Sequence, residues 1–239
     1  MKLLSWLASR GRREGREGET SICLRKRDCH THVVPGVDDG SRDTTESLAM
    51  VRLLAAEGVE RIIATPHIFP GRFPNEPEGL RVVFDGLVAA VASEGIGVEL
   101  ELGAEHYLDD SLIERVAQRR VIEFGEERYV LFETYTGGEA PAGLFDLVRE
   151  MKQGGYTPLM AHVERYGYLR GTPGREMVED LRCAGVRFQV NRTVGRANMP
   201  GEGSRGNFLS WLRKKNWIDE VGSDLHRATP DGRPHMMPA

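Results

Sequence analysis

Short apolar runs alternate with amphipathic helical stretches along most of the chain, and this alternation constrains the fold more than any other sequence feature. Seven runs are typical of strands, from residues 22–29 to residues 217–222, and helical patterns separate them. Strict alternation favours parallel strands joined by helical crossovers. The sequence therefore predicts an α/β fold, built either as an open doubly wound sheet or as a barrel.

Residue types that bind metals follow six of the seven predicted strands at their carboxyl ends. They are His30, His32, His67, Glu105, Glu133, His162, Asp224 and His226. An open sheet builds its site mainly at one switch point, whereas a barrel brings every strand end to one edge. This distribution favours a barrel with a metal cluster.

Two strand ends carry pairs of candidate ligands at positions i and i+2. Alternate residues of an extended strand share a face, so His30 and His32 are expected to approach one cation. Asp224 and His226 repeat this spacing at the other end of the chain. The two pairs together indicate a metal site more strongly than either pair alone.

An acid that follows the first pair is expected to complete the site. Asp38 and Asp39 both stand there, and we take Asp39 as the ligand; the alternative is that both acids cap the next helix. The candidate ligands then number nine, too many for one ion, so two or three ions are implied. Imidazole and carboxylate donors without a thiolate suit Mn, Fe or Zn.

Charge and cysteine content exclude several classes of protein. Residues 1–27 hold eight Lys or Arg and three Glu, but the rest holds 24 Lys or Arg and 33 Asp or Glu. An acidic body disfavours nucleic-acid binding, and no apolar window approaches the roughly 18 residues of a membrane span. Three cysteines without a CxxC pattern predict no disulfide framework and a reduced, cytoplasmic setting.

The charge distribution also predicts the domain organisation. Residues 1–21 are expected to be a disordered basic tail, with weak peripheral membrane association through residues 1–20 as the sharper alternative. Residues 22–239 are expected to form the barrel domain.

Seven motifs, taken in order, resemble the polymerase and histidinol phosphatase (PHP) superfamily, and within it the bacterial capsule-associated, manganese-dependent protein-tyrosine phosphatases of the CpsB type. The motifs are DCHTHVVPGVDDG, ATPH, GAEHYLD, YVLFE, AHVERY, GSDLH and DGRPHM. The resemblance implies a distorted seven-stranded (β/α)7 TIM-like barrel, the PHP fold, with three metal ions, Mn²⁺ first and Fe or Zn as alternatives.

The resemblance also implies how the nine ligands are shared among the ions. The first ion would be held by His30, His32 and Asp224, the second by Glu105, Glu133 and His162 with Glu105 bridging to the first, and the third by Asp39, His67 and His226.

The activity implied by the resemblance is metal-assisted hydrolysis of phosphotyrosine in a protein, with the C-terminal tail of a bacterial tyrosine kinase controlling capsule or exopolysaccharide synthesis as substrate. Arg165 and Arg233 match the family's phosphate-binding arginines and would present planar donor forks to the phosphoryl oxygens. Phe69, Tyr135 and Tyr166 lie near the predicted site and are candidates for stacking on the substrate ring.

Three alternatives remain at this point. One is another PHP phosphoesterase, acting on a small phosphate monoester such as histidinol phosphate. A second is an amidohydrolase, which usually has a lysine or other bridge after the fourth strand, where this chain has Glu133. The third is a non-catalytic binding module on a degenerate barrel.

Overall fold

The computed structural model describes residues 26–192, 203–228 and 234–235. The strands are β1 (Arg27–Thr31), β2 (Arg61–Ala64), β3 (His67–Ile68), β4 (Glu99–Leu102), β5 (Glu105–Tyr107), β6 (Tyr129–Glu133), β7 (Thr157–Met160), β8 (Arg187–Asn191), β9 (Glu220–Gly222), β10 (Arg227–Ala228) and β11 (Pro234–His235). The helices are α1 (Thr44–Ala56), α2 (Pro77–Ser93), α3 (Asp110–Ala117), α4 (Leu144–Gln153), α5 (Gly171–Cys183) and α6 (Gly203–Lys215).

Nine of these strands form two parallel sheets. The first has the order β1-β2-β4, and the second has the order β3-β5-β6-β7-β8-β9. The strands β10 and β11 form a separate antiparallel pair. The observed fold is therefore α/β with parallel pairing, as the alternation of apolar runs and helices predicts.

The two sheets meet where β2 continues into β3 and β4 continues into β5, after a two-residue break in each. Backbone hydrogen bonds cross the break, because Gly103 N donates to Ala64 O at 2.8 Å and Glu105 N donates to Pro66 O at 3.1 Å. The sequence predicts one strand at each place, residues 61–65 and 97–103, and the structure adds a second, short strand after each. Pro66 has no N–H to donate, which contributes to the interruption.

On its other side, β1 lies beside the segment that follows β9. Asp224 N donates to His30 O at 2.8 Å, and His32 N donates to Leu225 O at 3.0 Å. The parallel strands therefore curl around, and their carboxyl ends come together. We refer to these ends as the carboxyl rim and to the opposite ends as the amino rim.

Helices cover the sheets with apolar faces. On α1, Val51 and Leu54 are fully buried in one apolar cluster with Ile62 of β2. Burial of such side chains contributes about 1.5–3 kcal/mol each. The sequence Asp43-Thr-Thr-Glu46 is typical of a capping box and predicts a helix start, which the structure confirms, because the Asp43 carboxylate accepts a hydrogen bond from Glu46 N at 2.9 Å.

Three predictions concern residues that are only partly described. The predicted first strand spans residues 22–29, whereas β1 runs from Arg27 to Thr31 within the described range. The predicted tail of residues 1–21 and the predicted arginine Arg233 lie outside the described residues. Within the described part of the chain, no helix is both long enough and apolar enough to cross a bilayer.

Candidate metal centre

The nine residues predicted as metal ligands converge at the carboxyl rim. His30 lies in β1, His67 begins β3, Glu105 begins β5 and Glu133 ends β6. The remaining five stand in the segments that follow β1, β7 and β9: His32, Asp39, His162, Asp224 and His226. Seven of the nine are buried, and Asp39 and Glu133 are half-buried.

The first group of donor atoms comes from His30, His32, Glu105 and Asp224. The Nε2 atoms of the two histidines are 3.2 Å apart. Glu105 Oε2 lies 3.1 Å from the His30 nitrogen and 3.3 Å from the His32 nitrogen. Asp224 Oδ1 lies 3.4 Å from each of these nitrogens. Four donor atoms from distant parts of the sequence therefore face one small space.

The second group comes from His32, Asp39, His67 and His226. Asp39 Oδ1 lies 3.5 Å from both His67 Nε2 and His226 Nε2. The rings of His32 and His226 are stacked, with centroids 3.9 Å apart. This group contains the three residues assigned to the third ion, and His32 joins them.

The third group comes from His67, Glu105 and Glu133. His67 Nδ1 lies 3.3 Å from Glu105 Oε2 and 3.6 Å from Glu133 Oε1. His162 stands beside the same carboxylates, since its Nε2 lies 2.9 Å from Glu105 Oε1 and 3.7 Å from Glu133 Oε2. The resemblance assigns His67 to one ion only, whereas in the structure its two ring nitrogens face two groups.

Several donor atoms in this cluster have no hydrogen bond from any described residue. They include Asp39 Oδ1 and His67 Nδ1, both of which are buried. An unsatisfied buried polar atom costs about 1–3 kcal/mol. Buried lone pairs that converge without protein partners fit divalent cations, and nitrogen and oxygen donors without sulfur fit Mn, Fe or Zn.

The electrostatics of the cluster also favour a cation. Burial raises the pKa of Glu133 well above its ordinary value, and the carboxylates of Glu105 and Asp224 raise it further. Burial opposes ionisation of Glu105 as well, but the charge of His30 contributes to holding its pKa well below the ordinary value. Burial lowers the pKa of His67 to about 4, which keeps its ring neutral at pH 7, the form that binds metals.

A second layer of polar residues holds the ligands in place. Asp38 accepts hydrogen bonds from His32 Nδ1 at 2.8 Å, from His67 N at 2.9 Å and from Gly40 N at 2.9 Å. Since Asp38 holds the Nδ1 side of the His32 ring, Nε2 is directed at the cluster. Of the two neighbouring acids, Asp39 faces the donor groups and Asp38 supports them, while Asp43 caps the helix.

Two glycines allow the backbone to approach the first histidine pair. A Cβ atom at Gly40 would lie 2.4 Å from His32 Cβ, and a Cβ atom at Gly222 would lie 2.4 Å from His30 Cβ. Both distances are far shorter than van der Waals contact, so only glycine fits at either position.

Arg165 lies at the edge of the first group. Its Nη1 donates to Asp224 Oδ2 at 3.2 Å, and 27% of its side chain is exposed. It ends a short 3-10 turn, Val163–Arg165, that follows His162, whose φ of +31° is in the left-handed region. Such a conformation costs about 1–3 kcal/mol and persists only where the surroundings hold it.

The predicted aromatic residues divide into two kinds. Tyr166 is fully buried and its hydroxyl accepts a hydrogen bond from Thr134 N, so the prediction that it stacks on a substrate is wrong. Phe69 is half-buried and stacks on Tyr107, with ring centroids 3.9 Å apart. Tyr135 is 67% exposed, two residues beyond Glu133. Phe69 and Tyr135 remain accessible for a ligand.

Sequence reasoning missed two amides behind the cluster, Gln189 and Asn191 of β8. Gln189 Oε1 lies 3.1 Å from His30 Nδ1, and Asn191 Nδ2 donates to Asp224 Oδ2 at 2.8 Å. Their i and i+2 spacing is the same as that of His30 and His32. Amide side chains are uncharged and are not typical metal ligands, so this spacing alone does not identify them.

Comparison with known proteins identifies relatives of matching sequence and structure. A tyrosine-protein phosphatase, YwqE of Bacillus subtilis, is 31% identical over 199 residues, which cover 83% of this chain and 76% of the relative. CpsB of Streptococcus pneumoniae, also named a tyrosine-protein phosphatase, is 27% identical over 218 residues, covering 88% of this chain and 86% of the relative.

A solved structure gives the same result. It belongs to a study of YwqE from Bacillus subtilis and CpsB from Streptococcus pneumoniae, described as unique metal-dependent tyrosine phosphatases. It superposes with a TM-score of 0.70 at 27% identity and covers 84% of this chain and 79% of the solved chain. The sequence pattern described as "Capsular polysaccharide synthesis, CpsB/CapC" matches residues 26–239. The chain therefore belongs to the CpsB/CapC family of capsular polysaccharide synthesis.

Proposed function

We propose that this protein is a metal-dependent protein-tyrosine phosphatase whose active site is the carboxyl rim. The observation that carries the proposal is the convergence of nine imidazole and carboxylate side chains, each of which lies within contact distance of at least one other. The names of YwqE and CpsB, both tyrosine-protein phosphatases, support the same activity.

The three donor groups would hold three cations, with Mn²⁺ as the preferred ion and Fe or Zn as alternatives. Glu105 would bridge two of the groups through its carboxylate, whereas His32, whose Nδ1 is held by Asp38, and the neutral ring of His67 would each bind one cation. Divalent cations bound there would supply Lewis acidity toward a phosphoryl oxygen and would lower the pKa of water.

Arg165 would bind the phosphoryl oxygens of the substrate. Its contact with Asp224 places the guanidinium beside the first group, and its exposed part is free to meet a ligand. A planar guanidinium donates two parallel hydrogen bonds to a phosphate, which orients the group as well as binding it. We propose the same role for Arg233, on the basis of the resemblance of the DGRPHM motif.

The substrate we propose is phosphotyrosine in a protein, with the C-terminal tail of a bacterial tyrosine kinase as the specific partner and the cytoplasm as the setting. Phe69 and Tyr135 would contact the phenol ring, since both are accessible and stand after β3 and β6 near His67 and Glu133. A phenolate with a pKa near 10 leaves more readily than an alkoxide, so a strong general acid is unnecessary.

The finer description of the fold is part of the same proposal. If β2 and β3 count as one strand, and β4 and β5 as another, the parallel strands number seven. The hydrogen bonds between β1 and the segment after β9 support a distorted (β/α)7 barrel, formed by the domain of residues 22–239. The disordered basic tail of residues 1–21 stays a prediction, and weak peripheral membrane association through residues 1–20 stays its alternative.

The experiment that tests this function is a comparison of substrates with a defined metal content. The purified protein is stripped with EDTA, reloaded with Mn²⁺, and assayed on a phosphotyrosine peptide, the matching phosphoserine peptide and histidinol phosphate. We expect metal-dependent release of phosphate from the phosphotyrosine peptide at the highest kcat/KM. Preference for histidinol phosphate would indicate a small-molecule phosphoesterase, and no release from any substrate would indicate a binding module.

A further inference from the structure

When β2 and β3 are counted as one strand, and β4 and β5 as another, β8 is the one described parallel strand whose carboxyl end supplies none of the clustered imidazoles and carboxylates. It carries Gln189 and Asn191 instead, on the same face of the strand. Gln189 is fully buried, so its amide must find its partners within the protein. Those partners are His30, His162 and Asn191.

The carbonyl oxygen of Gln189 contacts two residues of the cluster. It accepts a hydrogen bond from His162 N at 2.6 Å, which fixes which end of the amide is the oxygen, because an NH₂ group there would face another donor. The same oxygen lies 3.1 Å from His30 Nδ1. An amide oxygen only accepts, so His30 must carry a proton on Nδ1, and Nε2 is the nitrogen that faces the first donor group.

The amide nitrogen of Gln189 continues the chain of hydrogen bonds. It donates to Asn191 Oδ1 at 2.8 Å, and Asn191 Nδ2 donates to Asp224 Oδ2 at 2.8 Å. That carboxylate oxygen also accepts from Arg165, which leaves Asp224 Oδ1 directed at the nitrogens of His30 and His32. The two oxygens of Asp224 therefore have separate roles.

Packing holds this chain of amides in one arrangement. The backbone of Gly222 lies so close that an added Cβ would be 3.1 Å from Gln189 Nε2. Asn191 N donates to the buried Glu164 carboxylate at 3.1 Å, which ties the end of β8 to the turn that carries Arg165. The amides are thus fixed relative to the ligands on β1, β7 and β9.

We infer that Gln189 and Asn191 are positioning residues that set the tautomer of His30 and the orientation of Asp224, and thereby the affinity of the first donor group for a divalent cation. The inference deepens the proposed function and rests on it. Neither amide touches the substrate. Hydrogen-bond partners behind metal ligands typically change metal affinity by about 10–100-fold when removed.

The test compares Gln189→Leu, which removes the acceptor, with Gln189→Glu, which keeps an acceptor for His30 Nδ1 and His162 N. A matched control is Gln118→Leu, the same change on the exposed end of α3. Mn²⁺ affinity is measured by competition with a fluorescent chelator, and the His30 tautomer in the metal-free protein by ¹⁵N NMR at alkaline pH, where the ring is neutral. Thermal unfolding, monitored by circular dichroism, shows which variants are folded.

We expect Gln189→Leu to bind Mn²⁺ about 10–100-fold more weakly and to lose the single Nδ1–H tautomer of His30. Gln189→Glu should recover the tautomer but only part of the affinity, because it keeps the acceptor and loses the donor to Asn191 Oδ1, and Gln118→Leu should match the wild type. A folded Gln189→Leu protein with wild-type Mn²⁺ affinity and an unchanged His30 tautomer would overturn the inference. Wild-type protein that binds no Mn²⁺ would overturn the proposed function, and the tautomer measurement then decides the role of Gln189 alone.

Asn191 offers a second variant in the same experiment. Asn191→Asp keeps the size of the side chain but replaces the donor to Asp224 with a second carboxylate, which repels it. We expect this variant to turn the Asp224 carboxylate out of its position and to weaken Mn²⁺ binding. The His30 tautomer should be unchanged, because Gln189 is intact. A wild-type affinity in a folded Asn191→Asp protein would exclude Asn191 from the positioning role.

Discussion

Charged side chains are arranged in opposite ways at the two rims of the parallel strands. At the amino rim, charges of opposite sign pair near the surface: Arg61 with Glu99, Arg128 with Glu123, and Arg27 with Glu220. At the carboxyl rim, carboxylates and imidazoles crowd together below the surface, and several of their atoms have no hydrogen bond from the described residues.

This difference separates stability from function. Exposed ion pairs contribute at most about 1 kcal/mol each, and these described pairs at the amino rim join opposite charges instead of crowding like charges together. Buried groups that repel one another at the carboxyl rim are costly unless a cation joins them. The comparison implies that substitutions at the carboxyl rim abolish activity, whereas those at the amino rim change little.

The largest effect is expected from His32→Ala, since His32 belongs to two donor groups. We expect kcat/KM for a phosphotyrosine peptide to fall by more than about 100-fold, because loss of a mere supporting partner in a metal site costs up to that factor. Elemental analysis should show fewer bound metal ions per chain. A folded His32→Ala protein with full activity and full metal content would remove the distinction between the two rims.

Metal removal gives the next test, because it acts on one rim alone. At a free Mn²⁺ concentration 100 times the Kd, one site stabilises the folded state by about 2.7 kcal/mol. For a domain of this size we expect Tm to rise by about 5–10 °C on addition of Mn²⁺ to the EDTA-treated protein. The rise should persist in Glu99→Gln, an amino-rim variant. An equal Tm with and without Mn²⁺ would contradict the proposed metal centre.

Arg165→Ala separates binding of phosphate from binding of metal. We expect kcat/KM to fall by about 100-fold, as for loss of one donor to developing charge, with Mn²⁺ affinity close to that of the wild type. Arg165→Lys should recover only part of the activity, because an ammonium lacks the planar fork. Steady-state kinetics measures the change in kcat/KM, and Mn²⁺ titration measures the metal affinity. A parallel loss of Mn²⁺ binding would make Arg165 a support for Asp224 instead.

A smaller effect is expected from Tyr135→Ala at the outer edge of the carboxyl rim. Loss of an aromatic contact of about 0.5–1.5 kcal/mol should raise KM for the phosphotyrosine peptide by up to about tenfold. Hydrolysis of a small phosphate ester without a ring should not change. The control is Val82→Ala, a similarly exposed apolar residue on α2. Equal KM values for wild type and variant would exclude Tyr135 from the substrate site.

The smallest effect is expected from Arg61→Gln at the amino rim. Its contacts with Glu99 and Glu101 are partly exposed, so the free energy of unfolding should fall by less than about 1 kcal/mol. Chemical denaturation and the phosphatase assay measure the two quantities, and kcat/KM should equal that of the wild type. Activity that fell as far as in Arg165→Ala would show that the rims are coupled.

The convergence of the candidate ligands at the carboxyl rim was predictable from the sequence because two simple regularities place them. Strand ends of parallel sheets meet at one edge, and residues at i and i+2 share a face, so His30 and His32 could be placed without coordinates. The N-cap of α1 was equally predictable, since Asp43 and Glu46 form a local pattern. Each of these features depends on few neighbours along the chain.

Features that depend on partners far away in the sequence were not predictable. The basic start of β1 is unfavourable for a strand locally, yet Arg27 pairs with Glu220, 193 residues later. The burial of Tyr166 and the amides of β8 likewise depend on what the folded chain brings beside them. The sharing of His67 between two donor groups required the position of both ring nitrogens.

Gly40 and Gly222 have a consequence for how this chain tolerates random mutation. Neither residue has a side chain to contribute to chemistry, yet one added methyl group at either would collide with the β-carbon of His32 or His30. In a library of variants screened for phosphate release, alanine at these two positions should therefore be as rare among the active clones as alanine at the histidines themselves.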